Sequence, residues 1–451
     1  MVRFVAVLLV LMALGPLAFA APVPCPFYGL NPGAPVWNGQ VVLDSAYAQA
    51  LAATGAGSVR VDFRLDGASS WDGPKLAQYD GIVDAVLAAG LEPLGLLAYE
   101  GVIGGQSQWN DDPDQDGYNA YVESFASTTE ILFAHFQGRI RRWEIWNEPD
   151  CWSNPNYASD PQNAGCSYLL PRVLAKLLAE SYVRNEAAIT SGAVSLVSGG
   201  LFAHDIGGSY SPAIGYLTEL YGQSVWDWME QNMGRRYPWD GLGYHLYVEQ
   251  GQATDGVLMG QYLDDVRALA NAEADSAPFH VTEFGWTTAG VSEAVQAANL
   301  TTAFDLFAAR PDITAAYWFS YRDAPNLYFG LTDSGGTPKA SLAAMQAVTA
   351  DCTAATGGGG GAGGAGAGGA GTGGAGAQGG VGGAGASAGH GAGGQAGGGA
   401  AGASATNAGA ASASDDCACL AAGAPTREPL GAALLLLLGA GLLARRREAH
   451  R

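Results

Sequence analysis

Between residues 21 and 356, short β-branched or aromatic segments alternate with Ala- and Leu-rich stretches, and this alternation limits the possible folds more than any other feature. Eight segments have the character of strands: 27–31, 58–63, 92–98, 141–146, 194–198, 241–246, 279–283 and 314–319. Helical patterns lie between them, among others at 76–89, 118–136, 172–189, 291–309 and 339–349. This alternation predicts parallel strands joined by right-handed helical crossovers.

Eight strand–helix units over about 330 residues fit a closed (β/α)8 barrel better than an open, doubly wound sheet. No Gly-x-Gly-x-x-Gly turn follows the first strand segment, which argues against a dinucleotide-binding fold. The expected fold class is therefore α/β, of the TIM-barrel type. In such barrels the chemistry lies at the carboxyl ends of the strands, so the residues that end the strands are the candidates for function.

Two of the strand segments end in a glutamate. The fourth runs into Trp-Asn-Glu-Pro at 146–149, where the proline ends the strand and leaves Glu148 at its mouth. The seventh ends in Thr-Glu-Phe-Gly at 282–285, with Glu283 at an equivalent depth. Strands four and seven lie nearly opposite each other in an eight-stranded barrel, so the sequence predicts that these two carboxyl groups face each other.

The two glutamate motifs together resemble those of clan A glycoside hydrolases, especially of families 39 and 5. The likeness covers nearly all of residues 25–350. It includes Gly-Ser-Val-Arg-Val-Asp-Phe at 57–63, Gly-Tyr-His-Leu-Tyr at 243–247, Tyr-Trp-Phe at 317–319 and Phe-Gly-Leu at 329–331. The resemblance implies a retaining hydrolase of glycosidic bonds, with Glu148 as acid/base and Glu283 as nucleophile.

Retaining hydrolysis uses two carboxyl groups about 5–5.5 Å apart, of which one stays protonated and the other stays ionised. Arg60, on the second strand, can hold Glu283 ionised through a charge-assisted hydrogen bond. Tyr247 can donate to the same carboxylate. An ordinary salt bridge within the barrel is the simpler alternative for Arg60.

Further residues of these motifs are candidates for contacts with the substrate. Asn147 can bind the 2-hydroxyl of the sugar, a contact that strengthens in the transition state. His245 and Trp318 would complete the bottom of the site, with Trp318 as an apolar platform under a sugar ring. A core histidine is the alternative for His245, and Glu144 is expected to belong to a structural network inside the barrel.

Four of the six cysteines, Cys25, Cys151, Cys166 and Cys352, lie in the predicted barrel domain. Four cysteines allow three pairings. The spacing favours Cys151–Cys166, which would close a loop of about 15 residues and contribute about 3 kcal/mol in the chain-entropy model. Cys25–Cys352 would then join the two ends of the domain. A zinc site is the weaker interpretation, because neither a C-x-x-C pair nor an H-E-x-x-H motif is present.

An acidic loop matches the pattern D-x-D-x-D-G-x5-E of a calcium-binding loop. Its ligands would be the carboxylates of Asp112, Asp114, Asp116 and Glu123 and the backbone carbonyl of Tyr118. The alternative is a loop whose charges favour the N-terminus of the following helix. We expect no cofactor to be required for catalysis, and a structural calcium ion is the candidate metal.

The two ends of the chain indicate export. Residues 1–20 resemble a secretory signal peptide, with Arg3, an apolar stretch, and Ala18 and Ala20 before the expected cleavage site. The barrel domain would occupy 21–356. Residues 357–416 are rich in Gly and Ala and lack the apolar side chains for a core, so they are expected to form a flexible linker.

Residues 417–451 form a separate C-terminal segment, with Cys417, Cys419, an apolar run at 430–444 and three arginines at 445–447. The segment resembles the sorting tails of Gram-negative surface proteins of the myxobacterial type. It implies a sorting peptidase as partner and at least transient contact of 430–444 with the membrane. A permanent C-terminal membrane helix is the alternative, and both place the domain outside the cytoplasm, at the cell surface or beyond it.

The charge of the chain limits its partners. The sequence has 42 acidic against 21 basic side chains, a formal net charge of −21. This balance excludes nucleic acid as a favourable partner, because phosphate groups would be repelled. A neutral polysaccharide or glycoside is the expected substrate. A non-catalytic glycan-binding surface protein on the same scaffold is the alternative function, although such a protein would not need both glutamates.

Overall fold

The computed structural model describes residues 23–203 and 213–352, and the eight expected strands are present in it. The strands are β1 Tyr28–Asn31, β2 Ser58–Asp62, β3 Glu92–Leu97, β4 Arg142–Asn147, β5 Ser195–Ala203, β6 Leu242–Leu246, β7 Phe279–Phe284 and β8 Ile313–Phe319. Each is parallel to its neighbours, and β1 pairs with both β2 and β8, which closes the barrel. The predicted (β/α)8 architecture is confirmed.

Helices follow the strands along the chain. In the described residues they are α1 Ser45–Ala52, α2 Gly73–Ala88, α3 Gln106–Trp109, α4 Ala120–His135, α5 Pro171–Arg184, α6 Glu186–Thr190, α7 Ile214–Tyr221, α8 Val225–Met233, α9 Val257–Ala272, α10 Glu293–Ala308 and α11 Ala340–Val348. A short antiparallel hairpin, Val36–Trp37 with Gln40–Val41, lies between β1 and α1. The single helix expected at 172–189 is two helices, because Asn185 leaves the helical conformation (φ −113°, ψ 17°) and donates to the Ser181 carbonyl oxygen.

Local sequence signals explain where several helices begin. The side chains of Asp44, Asp72, Asn119 and Ser292 accept the backbone N–H three residues further on, at the N-termini of α1, α2, α4 and α10. These N–H groups have no partner within the helix, and a capping side chain of this kind stabilises a helix by roughly 0.5–2 kcal/mol. The caps fix the points at which the loops at the mouth of the barrel end.

Three apolar clusters form the core of the described residues. Between strands and helices, aromatic rings pack densely, as where Phe63 contacts Trp71, Tyr79, Phe136 and Trp143. A smaller apolar cluster is formed by Leu94 of β3, Val197 of β5, and Ala315 and Tyr317 of β8.

Two disulfides are present within residues 23–203 and 213–352. Cys25 is joined to Cys352 with a Cα–Cα distance of 4.9 Å, and Cys151 is joined to Cys166 with a Cα–Cα distance of 5.7 Å. These are the pairs that the spacing favoured. The first connects the two ends of the barrel domain, and the second closes part of the loop between β4 and α5.

The expectations about the signal peptide at 1–20, the linker at 357–416 and the sorting segment at 417–451, including the apolar run at 430–444, lie outside the described residues. Within 23–203 and 213–352, no helix combines the length and the apolar character needed to cross a membrane.

Candidate active site

The end of β4 departs from regular strand geometry. Trp146 and Glu148 have left-handed backbone conformations, with φ of 77° and 48°. In a regular strand, consecutive side chains point to opposite faces. The left-handed residues break this alternation, and both Asn147 and Glu148 contact side chains inside the barrel mouth, Arg60 and His245 respectively.

The end of β7 departs from regularity in a different way. Its pairing with β6 shifts, with Gly243 opposite His280 but His245 opposite Glu283. One extra residue on β7 is the signature of a β-bulge, which re-aims side chains next to it. As a result, both Thr282 and Glu283 turn inwards: the Thr282 hydroxyl donates to Glu144 (2.8 Å), and Glu283 accepts from Tyr247.

The two irregular strand ends bring Glu148 and Glu283 together. One carboxylate oxygen of each and a ring nitrogen of His245 all lie within 4.8 Å of one another. Both glutamates are nearly buried, with 5% and 6% of their surface exposed. The expected juxtaposition is therefore present at the carboxyl ends of the strands, where barrel chemistry is found.

Glu283 is surrounded by hydrogen-bond donors. The Tyr247 hydroxyl donates to one oxygen (2.6 Å), and the Asn31 amide donates to the other (3.1 Å). Arg60 also contacts this second oxygen through its guanidinium group, in a salt bridge. These three donors fix the orientation of the Glu283 carboxylate.

Glu148 has a less polar environment. Its Oε1 atom lies 2.8 Å from Nδ1 of His245. Burial and the negative charge of Glu283 raise the pKa of Glu148, against the opposing effect of His245. The sulfurs of Cys151 and Cys166 lie within 4.8 Å of a Glu148 carboxylate oxygen and form part of its surroundings.

His245 and Glu144 complete a buried charge cluster with Arg60. Burial alone would lower the pKa of His245, but the charges of Glu283, Glu144 and Glu148 outweigh it and raise the pKa to about 9. Burial alone would raise the pKa of Glu144, but Arg60 and His245 outweigh it and lower the pKa to about 2.

Glu144 is the structural network member that the sequence suggested. Arg60 Nε donates to it (2.6 Å), as do the Thr282 hydroxyl (2.8 Å) and the backbone N–H of Gly200 (3.0 Å). Its carboxylate thus links β2, β4, β5 and β7. Arg60 in turn donates to the Asn147 amide oxygen (2.8 Å), which fixes the orientation of that amide beside Glu148.

The placement of Trp318 corrects the sequence-based expectation of a sugar platform. Trp318 has no exposed surface and packs against Phe284, whose ring contacts Phe304 of α10. The ring therefore lies between the barrel and its helices, where no sugar can reach it. The alternation of β8 instead directs Phe319 to the mouth, where its ring contacts that of Tyr247 at 6.3 Å between centroids.

The acidic loop at 112–123 has salt-bridge partners of its own, which are not residues around Glu148 and Glu283. Asp112 forms a salt bridge with Arg172, and Glu123 forms one with Arg184 while it accepts the Tyr118 hydroxyl (2.7 Å). Asp114 and Asp116 are exposed. Glu123 lies in the first turn of α4. Calcium binding stays a prediction. It would require Asp112 and Glu123 to break their salt bridges with Arg172 and Arg184 and to bind the calcium ion instead.

Within the described ranges, two clusters offer three or more potential metal ligands. One contains Cys151 and Cys166, whose sulfurs are joined in a disulfide and are not thiolates. The other is Glu148, Glu283 and His245. A metal needs a neutral imidazole, whereas the glutamates around His245 raise its pKa to about 9 and favour a cationic ring. The donor set therefore suits proton chemistry better than metal binding.

Three residues of the site were not found from the sequence. Asn31 donates to Glu283, and Thr282 donates to Glu144. Gly200 lies so close to His245 that a Cβ atom there would come within 2.3 Å of the imidazole Nε2. Asn31 ends β1, so reading every strand end would have suggested it. Nothing in the single sequence distinguishes Gly200 from the other glycines.

Comparison with solved structures gives proteins with a similar fold. A family 39 glycoside hydrolase from the gut symbiont Bacteroides cellulosilyticus WH2 has a TM-score of 0.50 and 19% identity. The match covers 72% of this chain and 64% of that protein, so this chain spans less than two thirds of its length. At this identity the shared feature is the fold, and the likeness in fold to clan A glycoside hydrolases is confirmed.

Other similar structures include GH5_18 from Streptomyces cattleya in complex with GlcNAc, with a TM-score of 0.49 and 14% identity over 73% of this chain and 80% of that one. A GH128 (subgroup II) endo-β-1,3-glucanase from Sorangium cellulosum has a TM-score of 0.43 and 18% identity over 71% of this chain and 98% of that one. No protein-family model matches the sequence, and neither does any curated protein.

Proposed function

We propose that this protein is a retaining glycoside hydrolase that cleaves O-glycosidic bonds of a neutral polysaccharide or glycoside by double displacement. The observation that carries the proposal is the pair Glu148 and Glu283. Oxygens of the two carboxyl groups lie within 4.8 Å, in environments that differ in polarity. Retaining enzymes need about 5–5.5 Å between the two groups, whereas inverting enzymes need about 6.5–9.5 Å to admit a water molecule.

In the first step, Glu283 attacks the anomeric carbon while Glu148 donates its proton to the leaving oxygen. The donors Arg60, Asn31 and Tyr247 hold the two oxygens of Glu283 in a fixed orientation for this attack. The raised pKa of Glu148 keeps the proton available until the bond breaks. The step leaves a covalent glycosyl–enzyme intermediate.

In the second step, Glu148 acts as a base towards water, which attacks the same carbon and releases Glu283. His245, 2.8 Å from Glu148, stabilises the carboxylate that exists between the two steps. We assign Asn147 to the 2-hydroxyl of the sugar, because Arg60 holds its amide beside Glu148. Trp318 does not serve as an apolar platform for a sugar ring, because its side chain is fully buried.

The choice of a neutral substrate rests on charge. The net charge of −21 disfavours anionic polymers, and the buried cations Arg60 and His245 are already balanced by glutamates. We further propose that the protein acts outside the cytoplasm, with a sorting peptidase and the membrane as partners of its C-terminal segment. The two disulfides support export, because disulfides persist mainly in oxidising compartments.

The test is a screen of the purified protein on aryl glycosides and neutral polysaccharides, with the anomer formed first identified by proton NMR. We expect turnover of at least one substrate with retention of configuration. The matched control is the double variant Glu148→Gln/Glu283→Gln, which keeps the shape of both side chains. Inversion would contradict the mechanism, and saturable binding without turnover would favour the non-catalytic glycan-binding alternative.

A further inference from the structure

The disulfide between Cys151 and Cys166 lies beside the catalytic pair. Both sulfurs are within 4.8 Å of a Glu148 carboxylate oxygen. Cys151 is buried (3% exposed) and belongs to an apolar cluster at the barrel mouth that includes Phe202, Tyr247 and Phe319. The disulfide therefore forms part of a water-excluding wall next to the carboxyl group that we assign as the acid.

The segment 151–167, which contains both cysteines of this disulfide, also contacts the backbone of Glu148. The Ser167 hydroxyl donates to the Glu148 carbonyl oxygen (2.8 Å), which also accepts the backbone N–H of Cys151 (3.0 Å). The indole of Trp146 donates to the Ser167 carbonyl oxygen (3.0 Å). These contacts join both ends of the disulfide-closed loop to the strand end.

These contacts matter because Glu148 has a left-handed backbone conformation, with φ of 48°. A residue with a Cβ atom adopts this conformation uncommonly, and contacts with the surrounding structure help to hold it there. The conformation also directs the side chain towards His245 instead of away from it. A loss of the imposing contacts would let the backbone relax and move the carboxyl group.

We infer that the segment 151–167 positions the acid/base residue: it fixes the backbone of Glu148 and shields one side of its carboxyl group from bulk water. Cys151, Cys166 and Ser167 are positioning residues, because they act through Glu148 and not on the substrate. The inference rests on the function proposed above for Glu148. Its consequence is that only the steps in which Glu148 gives or takes a proton depend on the segment.

The titratable groups around Glu148 define the background for a pH test. His245 on β6, Glu283 on β7 and Arg60 on β2 all influence its charge. Asp150, two residues further on, accepts the N–H of Phe202 (2.8 Å), and burial raises its pKa to about 7. All four remain when the disulfide is removed, so a change in the titration of Glu148 reports on the segment.

The experiment compares two disulfide-free variants. Cys151→Ser/Cys166→Ser removes the bond beside Glu148, and Cys25→Ser/Cys352→Ser removes the bond between the ends of the domain. We expect the first variant to lose roughly ten- to hundredfold in kcat/KM on glycosides with poor leaving groups, the scale of a displaced catalytic group. Substrates with good leaving groups should be little affected. The second variant should show no such selectivity, although it loses the longer loop.

The pH dependence gives a second readout. Water that reaches Glu148 lowers its pKa, so the basic limb of the pH–rate profile should move to lower pH in Cys151→Ser/Cys166→Ser and stay unchanged in the other variant. Equal leaving-group selectivity and equal profiles in the two variants would overturn the inference. If the cysteine variants do not fold, Ser167→Ala keeps both disulfides and should shift selectivity in the same direction. Ser341→Ala, a buried serine on α11, is its control.

A direct titration separates this inference from the proposed function. NMR of 13C-labelled glutamate carboxyl groups, assigned with Glu148→Gln, gives the midpoint for Glu148 without any substrate. We expect a lower midpoint in Cys151→Ser/Cys166→Ser than in wild type and in Cys25→Ser/Cys352→Ser. If no glycoside is hydrolysed but the midpoint falls, the proposed function fails and the positioning role stands. An unchanged midpoint refutes the positioning role whatever the activity.

Discussion

The ends of β4 and β7 each deliver a glutamate to the same point, but by different means and into different surroundings. β4 uses two left-handed residues, and β7 uses a bulge. Glu148 lies beside a disulfide and an imidazole, whereas Glu283 accepts hydrogen bonds from three side chains. The two residues are chemically identical, and the difference lies entirely in what surrounds them.

This difference shows how glutamate can serve in two roles, as the acid/base and as the nucleophile. An apolar environment favours the protonated form of a carboxyl group, and an environment of donors favours the ionised form. The structure separates the two environments over less than 5 Å. Substitutions at the end of β4, at the end of β7, or in the contacts between them should therefore have different effects on catalysis and stability.

The largest effect is expected at the end of β7. Glu283→Ala removes the nucleophile, and we expect kcat to fall on the order of 10^4-fold or more. Azide should restore part of the activity by attacking from the vacated position, with a product of inverted configuration. Glu186→Ala, on the exposed surface of α6, is the control and should keep wild-type rates. Wild-type rates in Glu283→Ala on a substrate that the protein hydrolyses would show that Glu283 is not the nucleophile.

The effect at the end of β4 should depend on the substrate. Glu148→Ala removes the proton donor, so we expect a loss of roughly 10^2- to 10^4-fold for glycosides with poor leaving groups. Glycosides with good leaving groups need no proton for bond cleavage and should lose far less in the first step. The measurement is kcat/KM across a series of aryl leaving groups of increasing pKa. Equal losses across the series would mean that Glu148 is not the acid.

A third variant tests the link between the two strand ends. Glu144→Gln removes the charge that joins Arg60 on β2 to Thr282 on β7. The pKa of Glu144 is lowered from 4.5 to about 2 in the folded protein. Its charge therefore stabilises the fold above pH 4.5, by about 3 kcal/mol at 1.36 kcal/mol per pKa unit, and this contribution is lost as the pH falls towards 2.

The measurement for Glu144→Gln is urea-induced unfolding at pH 7, 5 and 3 beside wild type. We expect the variant to be less stable at pH 7 and the gap in free energy of unfolding to narrow at pH 3. A gap that does not change with pH would show that the charge of Glu144 contributes nothing to folding.

The smallest effect is expected at the acidic loop. Asp112 pairs with Arg172 on α5, the helix that follows the disulfide-closed loop of β4. Calcium bound by the folded state alone would stabilise it by about 2.7 kcal/mol at a hundredfold excess over Kd. The melting temperature should rise with calcium and fall with chelator in wild type but not in Asp114→Asn/Asp116→Asn, with catalysis unchanged. An identical melting curve at all calcium concentrations would contradict calcium binding. It would favour the alternative, in which the charges of the loop stabilise the N-terminus of α4.

The sequence by itself predicted the barrel, because strand and helix periods depend on local spacing and repeat eight times. It also predicted the pairing of Glu148 with Glu283, since proline and glycine mark the strand ends. The disulfides followed from spacing, and the contacts of Arg60 and Tyr247 with Glu283 followed from the motifs that carry them.

Only the tertiary structure decided which side chains face the site. The motif predicts Trp318 at the mouth of the barrel. In the structure, the register of β8 turns Trp318 towards the helices and places Phe319 at the mouth. The left-handed Glu148 and the bulge before Glu283 have no signal in the sequence. Both depend on hydrogen bonds between strands and loops that are far apart along the chain, so a local pattern contains no information about them.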